Sequence, residues 1–310
     1  MIPRVSVLMT IYNPGPFLVP AIESLLAQTF TDFELVAIEN GSTDGAREIA
    51  RRFAASDCRI RLIELPENIG RVPALNRALT EARGEYAAIL DADDVAHPER
   101  LALEVAALDV LPEAVMVASH ARYIDGSGTV IGQHMPTTDP TELREALAYG
   151  NPFPHSSIMY RRAAALAVGG YCPRYPFGND LAMSLALTAR GEAAMIARPL
   201  VDVRIHPANA TISPAMYFSR YRESLELWRR ALARPGLLPE TRRRGRVNLA
   251  TTHFVLGREL WRARRFAPAL WQILRMATAA PLYCLQRAAV HVVRWVATSP
   301  GPNARLSRRP

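Results

Sequence analysis

From Val5 to about Leu108, short apolar runs alternate with stretches whose apolar residues recur every three or four positions. VSVLMTIY, FELVAIE, IRLIEL and YAAIL read as strands, and residues 16–28, 44–55, 71–83 and 98–109 read as helices. Strands apolar at nearly every position predict a parallel sheet covered on both faces, and such sheets hold ligands beyond the carboxyl ends of their strands. After residue 115, VMVAS, RYIDGSGTVIG with its Gly turn, SSIMYRR and a helix over about 180–190 predict a mixed extension of the sheet. Beyond 215 only helical patterns remain. Val247, Ala250, Phe254, Gly257 and Trp261 form one apolar stripe, and Phe266, Ala269, Leu270, Ile273, Leu274 and Ala277 form another, so two helices are expected to pack as a hairpin. A third helix over about 282–297 places Leu282, Leu285, Ala289, Val292, Val293 and Val296 on one side. The closing SPGPNARLSRRP reads as disordered.

Charge divides the chain in the same place. Residues 1–214 hold 18 Arg against 25 acidic residues, a net −7, while residues 215–310 hold 19 Arg against 4 acids, a net +15. The expected organisation is therefore a catalytic or binding domain over 1–214, a helical extension over 215–298 and a tail over 299–310. With 310 residues and 49% hydrophobic content the chain can bury a substantial core. Cys58, Cys172 and Cys284 are far apart and fit neither a disulfide framework nor a zinc site. The first residues enter a strand-like run without a signal sequence, and no window is long and apolar enough to cross a bilayer. A cytoplasmic location is expected.

The chemistry gathers at strand ends. In YAAILDADDVAHPERL three carboxylates, Asp91, Asp93 and Asp94, follow a strand within four positions. If the backbone is still extended there, Asp91 and Asp93 point the same way and can share a ligand. A hard divalent cation is the natural one, because Mg²⁺ takes few protein carboxylates and completes its shell with water and substrate phosphate. The competing reading is a solvated loop in which Asp93 or Asp94 caps the helix starting near Pro98.

Six segments in order then change the balance: VSVLMTIYNPGPFLVPAIESLLAQTFTDFELVAIENGSTDGAREIA, NIGRVPALNRAL, ILDADD, NPFPHSSIMYRRAAALAVGGY, GNDLAMSLALTARG and RIHPANATIS. Together, over about residues 4–214, they resemble the family 2 glycosyltransferases of GT-A fold. The resemblance implies a Rossmann-like, mostly parallel α/β sheet flanked by helices, here with an all-helical C-terminal extension. It also implies inverting transfer of a sugar from a nucleotide diphosphate donor, with a divalent metal, Mg²⁺ or Mn²⁺.

Carried onto this sequence, the resemblance makes Asp93 the metal-binding Asp of an Asp-x-Asp motif and Asp91 its partner near the ribose and metal. Thr10, Tyr12 and Asn13 match the segment lining the nucleotide pocket. In ENGSTDG this chain keeps Glu39 where the family has an acid that meets the base, and has Asn40 in place of the next acid. An amide both donates and accepts, so base recognition survives the change. Arg71 starts a helix and could face the diphosphate together with free backbone N–H groups. Asn179-Asp180 aligns with the family's Glu-Asp pair, which makes Asp180 the base that removes the acceptor hydroxyl proton. The residue-level alternative is an Asn N-cap with Asp in the first helical turn. His206 matches a segment in which a His sometimes approaches the metal, and His155 fits a packing or acceptor-side role.

The leading function is thus sugar transfer onto a glycan or lipid-linked acceptor in cell-surface polysaccharide synthesis. Its basic, amphipathic C-terminal third points to an anionic membrane surface on the cytosolic side, with the protein attached peripherally. A nucleotidyltransferase would also use paired carboxylates, a metal and a nucleotide, but TIYNPGPF lacks the Gly- and Lys/Arg-rich phosphate loop such an enzyme needs. A non-catalytic protein that binds a nucleotide-sugar, or nucleic acid through the basic tail, gives no role to Asp91, Asp93 and Asp180.

Overall fold

The computed structural model describes residues 2–207 and 217–281. The chain forms two compact units, Met1–Glu223 and Ser224–Pro310. The helix expected over 282–297 and the tail over 299–310 lie outside the described residues.

In the first unit, strands β1 (Val5–Ile11), β2 (Phe33–Asn40), β3 (Ile60–Leu65) and β4 (Tyr86–Ile89) alternate with helices α1 (Leu18–Leu26), α2 (Ala46–Ser56) and α3 (Arg71–Glu81). The three strand pairs are parallel, in the order β3-β2-β1-β4, as their uninterrupted apolar runs require. All eight residues of β2 are buried, and β1 buries Val5, Val7, Met9 and Ile11 in the same cluster as Leu18, Ile22 and Leu25 of α1. The four strands therefore end side by side on one edge. β5 (Val95–Ala96), α4 (Arg100–Val110), β6 (Ala114–Ile124), β7 (Val130–His134), α5 (Pro140–Ala146), β8 (Met159–Arg161), α6 (Arg162–Ala167), α7 (Asn179–Leu187) and β9 (Glu192–Arg204) follow. They extend the sheet as β4-β8-β6-β9-β5, with β7 on β6. Only β6 and β9 run parallel there, so the extension is mixed.

Two local expectations are corrected. VMVAS and the start of RYIDGSGTVIG form one continuous strand, β6, because no turn residue separates Ser119 from Arg122. In SSIMYRR only Met159–Arg161 is extended. His155–Ser157 winds into a 3-10 turn in which Pro154 O accepts from both the N–H and the hydroxyl of Ser157. That turn brings His155 and Ser156 to the end of β4.

α8 (Tyr217–Leu232) begins in the first unit and continues into the second, where α9 (Pro239–Arg262) and α10 (Phe266–Ala279) form the expected hairpin. Gly257 allows the close crossing, since a Cβ there would meet Ala269 O and Gln272 Cβ at 3.3 Å. His253 Nδ1 lies 2.6 Å from Gln272 Oε1 across the same contact. Among the described residues, no helix is long and apolar enough to span a membrane.

Candidate active site

Three carboxylates gather at the end of β4, but not by strand alternation. The strand stops at Ile89, and Asp91–Asp94 form a turn closed by the Asp94 N–H on Asp91 O at 3.1 Å. The turn, rather than an extended backbone, brings one oxygen of each of Asp91, Asp93 and Asp94 within 4.8 Å of the others. Neither Asp93 nor Asp94 caps α4, whose first residue is Arg100 and whose N-cap position, Glu99, makes no side-chain cap.

Each carboxylate has its own setting. Asp91 accepts from Arg71 Nη2 at 2.7 and 2.8 Å, and His155 Nδ1 lies 3.3 Å away. Burial opposes its ionisation, but the Arg71 charge and His155 win and hold its pKa well below the ordinary range. Arg71 is the first residue of α3, and burial is likewise outweighed by Asp91, with Asp93 and Asp180 adding to it, so its pKa is raised. Asp93 meets His206 Nε2 at 3.0 Å, and its pKa is raised by burial and then by the charge of Asp91. Asp94 is the most enclosed: Ser156 Oγ donates to one oxygen and the Arg204 N–H to the other at 2.8 Å. Burial and the charges of Asp93 and Asp91 push it well above the usual carboxylate value. Asp94 thus fastens the turn, and Asp91 and Asp93 flank it.

The far ends of the cluster are drawn in by β9. Arg204, its last residue, donates to Asp93 O at 2.9 Å and Asp125 O at 2.9 Å and stacks its guanidinium over Phe17 at 4.6 Å. His206 meets the same Phe17 ring, with centroids 4.8 Å apart and the ring planes tilted by 45°. Ser156 also accepts from the Asp91 N–H at 3.1 Å, so the 3-10 turn and the acidic turn are laced together.

Beneath them lies a fully buried ion pair. Arg100 Nε donates to Glu104 Oε1 at 2.9 Å, and Arg100 Nη2 reaches Ile89 O at 2.9 Å and Ile158 O at 3.5 Å. Arg100 therefore ties the last residue of β4 to the residue after the 3-10 turn. Burial, only partly offset by Arg100, raises the Glu104 pKa to about 7.

The neighbouring strand ends form a second cluster. The Thr43 N–H donates to Asn13 Oδ1 at 2.7 Å, the Asn13 N–H to Ser42 Oγ at 3.2 Å and the Gly15 N–H to Asp44 Oδ2 at 2.7 Å. Asn13 sits at φ 49°, a left-handed conformation that Asn tolerates. Thr10 is the penultimate residue of β1 and half-buried, and Tyr12 is exposed. Glu39 and Asn40 are buried and engaged within the protein. Glu39 accepts from the Ser42 N–H at 2.6 Å and Arg47 Nε at 2.8 Å, while Asn40 accepts from the Ile69 N–H at 3.0 Å and donates to Asn68 Oδ1 at 3.1 Å. Gly41 is required between them and the next loop, because at φ 76° a Cβ would stand 2.6 Å from Asn68 N. These two residues hold the 40–44 and 67–70 loops together.

Asp180 lies in the first turn of α7 and accepts from Asn151 Nδ2 at 2.9 Å. Asn179 is not the N-cap; that position is Gly178, and the Phe177 and Gly178 N–H groups are taken by Glu223 Oε2 at 2.9 and 3.0 Å. The Asn179 side chain turns back instead, with Nδ2 donating to Pro176 O at 2.9 Å. The structure thus joins Arg71, Asp91, Asp93 and His206 into one cluster with Asp94 and His155, the charge of Asp180 adds to that of Asp91 on Arg71, and Ser156, Arg204 and Arg100, which no spacing rule marks, complete it.

Comparison with known proteins gives the family and the fold. EpsE of Bacillus subtilis is 36% identical over 171 residues, covering 54% of this chain and 60% of EpsE. Staphylococcus aureus TarS 1–349, crystallised with UDP-GlcNAc, shares the fold with a TM-score of 0.68 at 16% identity, over 92% of this chain and 87% of that one. The mannosyltransferase PcManGT of Pyrobaculum calidifontis, in complex with GDP-Man and Mn²⁺, gives a TM-score of 0.59 at 20% identity, over 99% of this chain and 79% of that one. The family model for glycosyl transferase family 2 matches residues 6–169, which contain the Thr10–Asn13, Glu39–Asn40, Arg71 and Asp91–Asp94 segments. This chain belongs to glycosyl transferase family 2.

Proposed function

We propose that this protein transfers a sugar, with inversion, from a nucleotide diphosphate-sugar donor to a hydroxyl of a glycan or lipid-linked acceptor in cell-surface polysaccharide synthesis. The observation that carries the reading is the Asp91–Asp93–Asp94 cluster at the end of β4, in a chain of this family whose α7 carries Asp180 in its first turn.

The donor set suits a hard divalent ion. Three carboxylates crowd together, and Asp93 is paired with an imidazole, an oxygen–nitrogen combination acceptable to Mn²⁺ as well as Mg²⁺. Asp93, Asp91 and His206 would hold the ion, which when bound offsets the charge of the diphosphate leaving group. Asp94 is spent on Ser156 and the Arg204 N–H and keeps the turn in shape. Arg71, at the start of α3, presents a guanidinium where diphosphate oxygens would lie, while Thr10, Tyr12 and Asn13 line the nucleotide side. Glu39 and Asn40 act on the base through the loops they fasten. Asp180 takes the proton of the acceptor hydroxyl as its oxygen bonds to the anomeric carbon and the bond from that carbon to the diphosphate breaks. Asn151 orients Asp180 for this task.

The two solved neighbours support the donor class, since one binds UDP-GlcNAc and the other GDP-Man with Mn²⁺. The net +15 of residues 215–310 supports peripheral attachment to the cytosolic membrane face, where a lipid-linked acceptor would be met.

A panel of nucleotide diphosphate-sugars, each with Mn²⁺ or Mg²⁺, tests the reading by thermal unfolding. The true donor at about 100 times its Kd stabilises the fold by about 2.7 kcal/mol, and only when metal is present. The product glycoside then shows the anomeric configuration opposite to the donor's. A panel without any metal-dependent stabilisation contradicts the proposal.

A further inference from the structure

We propose that the outer face of α10, together with the α9–α10 corner, is a docking surface for an anionic lipid bilayer. The inference deepens the peripheral-membrane reading above and rests on it. It assigns the contact to residues in the described hairpin.

α10 packs on α9 through Ala269, which is fully buried, and Gln272, which meets His253. Its opposite face is apolar and outward. Leu270, Trp271 and Leu274 are 57%, 53% and 56% exposed, and Phe266 at the start of the helix is 48% exposed. Positions 266, 270 and 274 lie on one line of a helix, and 271 flanks it. At the corner, Trp261 stacks edge-on against Phe266 with centroids 4.8 Å apart, and Trp261 is itself 51% exposed. A soluble protein has no reason to place five large apolar side chains side by side in water unless something covers them.

The surrounding charge says what covers them. Arg258, Arg262, Arg264 and Arg265 surround the Trp261–Phe266 pair in sequence, and Glu259, the acid among them, is shared by Arg258 and Arg262. Arg275 folds its guanidinium over the Trp271 ring at 4.9 Å, along the edge of the apolar face. Residues 224–281 as a whole carry 12 Arg against Glu226, Glu240 and Glu259. A second copy of the chain apposed through this face would bring two arginine rims together, at a repulsive cost. Nucleic acid would match the arginines but leave the leucines and tryptophans in water. An anionic bilayer matches both parts: aromatic and aliphatic side chains enter the headgroup boundary while the arginines remain among phosphates. The helix lies in the surface and does not cross it.

The test is vesicle co-sedimentation of the full chain, without donor or acceptor, on phosphatidylcholine vesicles with and without phosphatidylglycerol, at low and high salt. Tryptophan emission reports insertion. The wild type should bind only the anionic vesicles, more weakly as salt rises, with a blue shift. Leu270→Glu/Leu274→Glu should lose at least about tenfold in binding and all of the shift, and Arg262→Ser/Arg265→Ser should bind more weakly with a shallower salt dependence. Both pairs lie on the surface of the hairpin, so circular dichroism and donor hydrolysis should match the wild type; intact hydrolysis with lost vesicle binding separates this proposal from the catalytic one. Wild type that ignores anionic vesicles overturns it. So does a Leu270→Glu/Leu274→Glu variant that binds as well as wild type, or a wild-type dimer, dissociated by those substitutions, that shows no affinity for vesicles.

Discussion

Nε2 of His206 stands 3.0 Å from Oδ2 of Asp93 although 113 positions separate them, so the end of β9 closes on the turn after β4. Phe17 backs this contact, with His206 on its ring and the Arg204 guanidinium over it. Asp93→Asn should therefore abolish metal-dependent binding of the nucleotide, and His206→Ala should weaken it by roughly 10- to 100-fold, the scale for a lost ligand or orienting group. Calorimetry with a nucleoside diphosphate and Mn²⁺ measures both. Unchanged affinity in Asp93→Asn removes it from the metal site.

Arg71 and His155 keep Asp91 ionised. A carboxylate whose pKa is depressed contributes above its ordinary value and loses that contribution as pH falls through the lower, native one. In the wild type, Asp91 thus stays charged at pH values where an ordinary carboxylate protonates. Arg71→Met should raise the Asp91 pKa toward about 4, the ordinary carboxylate value. The titration of the Asp91 carboxyl carbon by NMR over the acid range, compared between the two proteins without metal or nucleotide, checks the shift. Identical profiles would mean that Arg71 does not govern Asp91.

The first four strands and their helices are legible because β1, β2 and β4 are apolar on both faces and the helices between them keep their period. The extension is less so: β5 is two residues long, and the turn at His155–Ser157 sits where SSIMYRR suggests a strand. At the site, Asp91, Asp93, Asp180, Arg71 and His206 carry a motif, whereas Ser156, Arg204 and Arg100 do not. Their partners are 62 to 111 positions away for Ser156 and Arg204, and Arg100 reads as an ordinary residue of the first helical turn. A spacing rule reaches along one element, and these contacts run between elements. Asp94 shows the same limit, since its two neighbouring acids, Asp91 and Asp93, suggest a ligand while its burial makes it a structural acceptor.

Glu104 gives a pH signature of the platform under the site. Its native pKa, about 7, lies above the ordinary value of 4.5, so the native state favours the protonated form. Stability contributed in this way is present below about 4.5 and is lost as pH rises through about 7. Glu104→Gln keeps an acceptor for Arg100 Nε and removes the titration. Relative to this variant, the wild type should lose about 2 kcal/mol between about pH 5 and pH 7 in urea unfolding. Parallel stability curves would show that Glu104 does not titrate there.

Arg100 should matter to the reaction without touching it. Arg100→Met leaves Glu104 buried without its partner, a loss of about 3–5 kcal/mol when a buried pair is broken. Arg100→Met/Glu104→Leu removes both charges and should recover most of that stability. Yet it should not recover the donor KM, because Ile89 O and Ile158 O lose their shared donor and the acidic turn drifts from His155. Recovery of both stability and KM would make Arg100 a packing residue only.

The measurement closest to the central claim is transfer by Asp180→Asn, scored as nucleoside diphosphate released with the true donor and acceptor, beside calorimetric donor affinity. Asparagine keeps the shape that receives Asn151 Nδ2 but cannot take a proton at neutral pH. The account predicts donor affinity close to wild type and transfer slower by roughly 10²-fold or more. Near wild-type transfer by Asp180→Asn contradicts it.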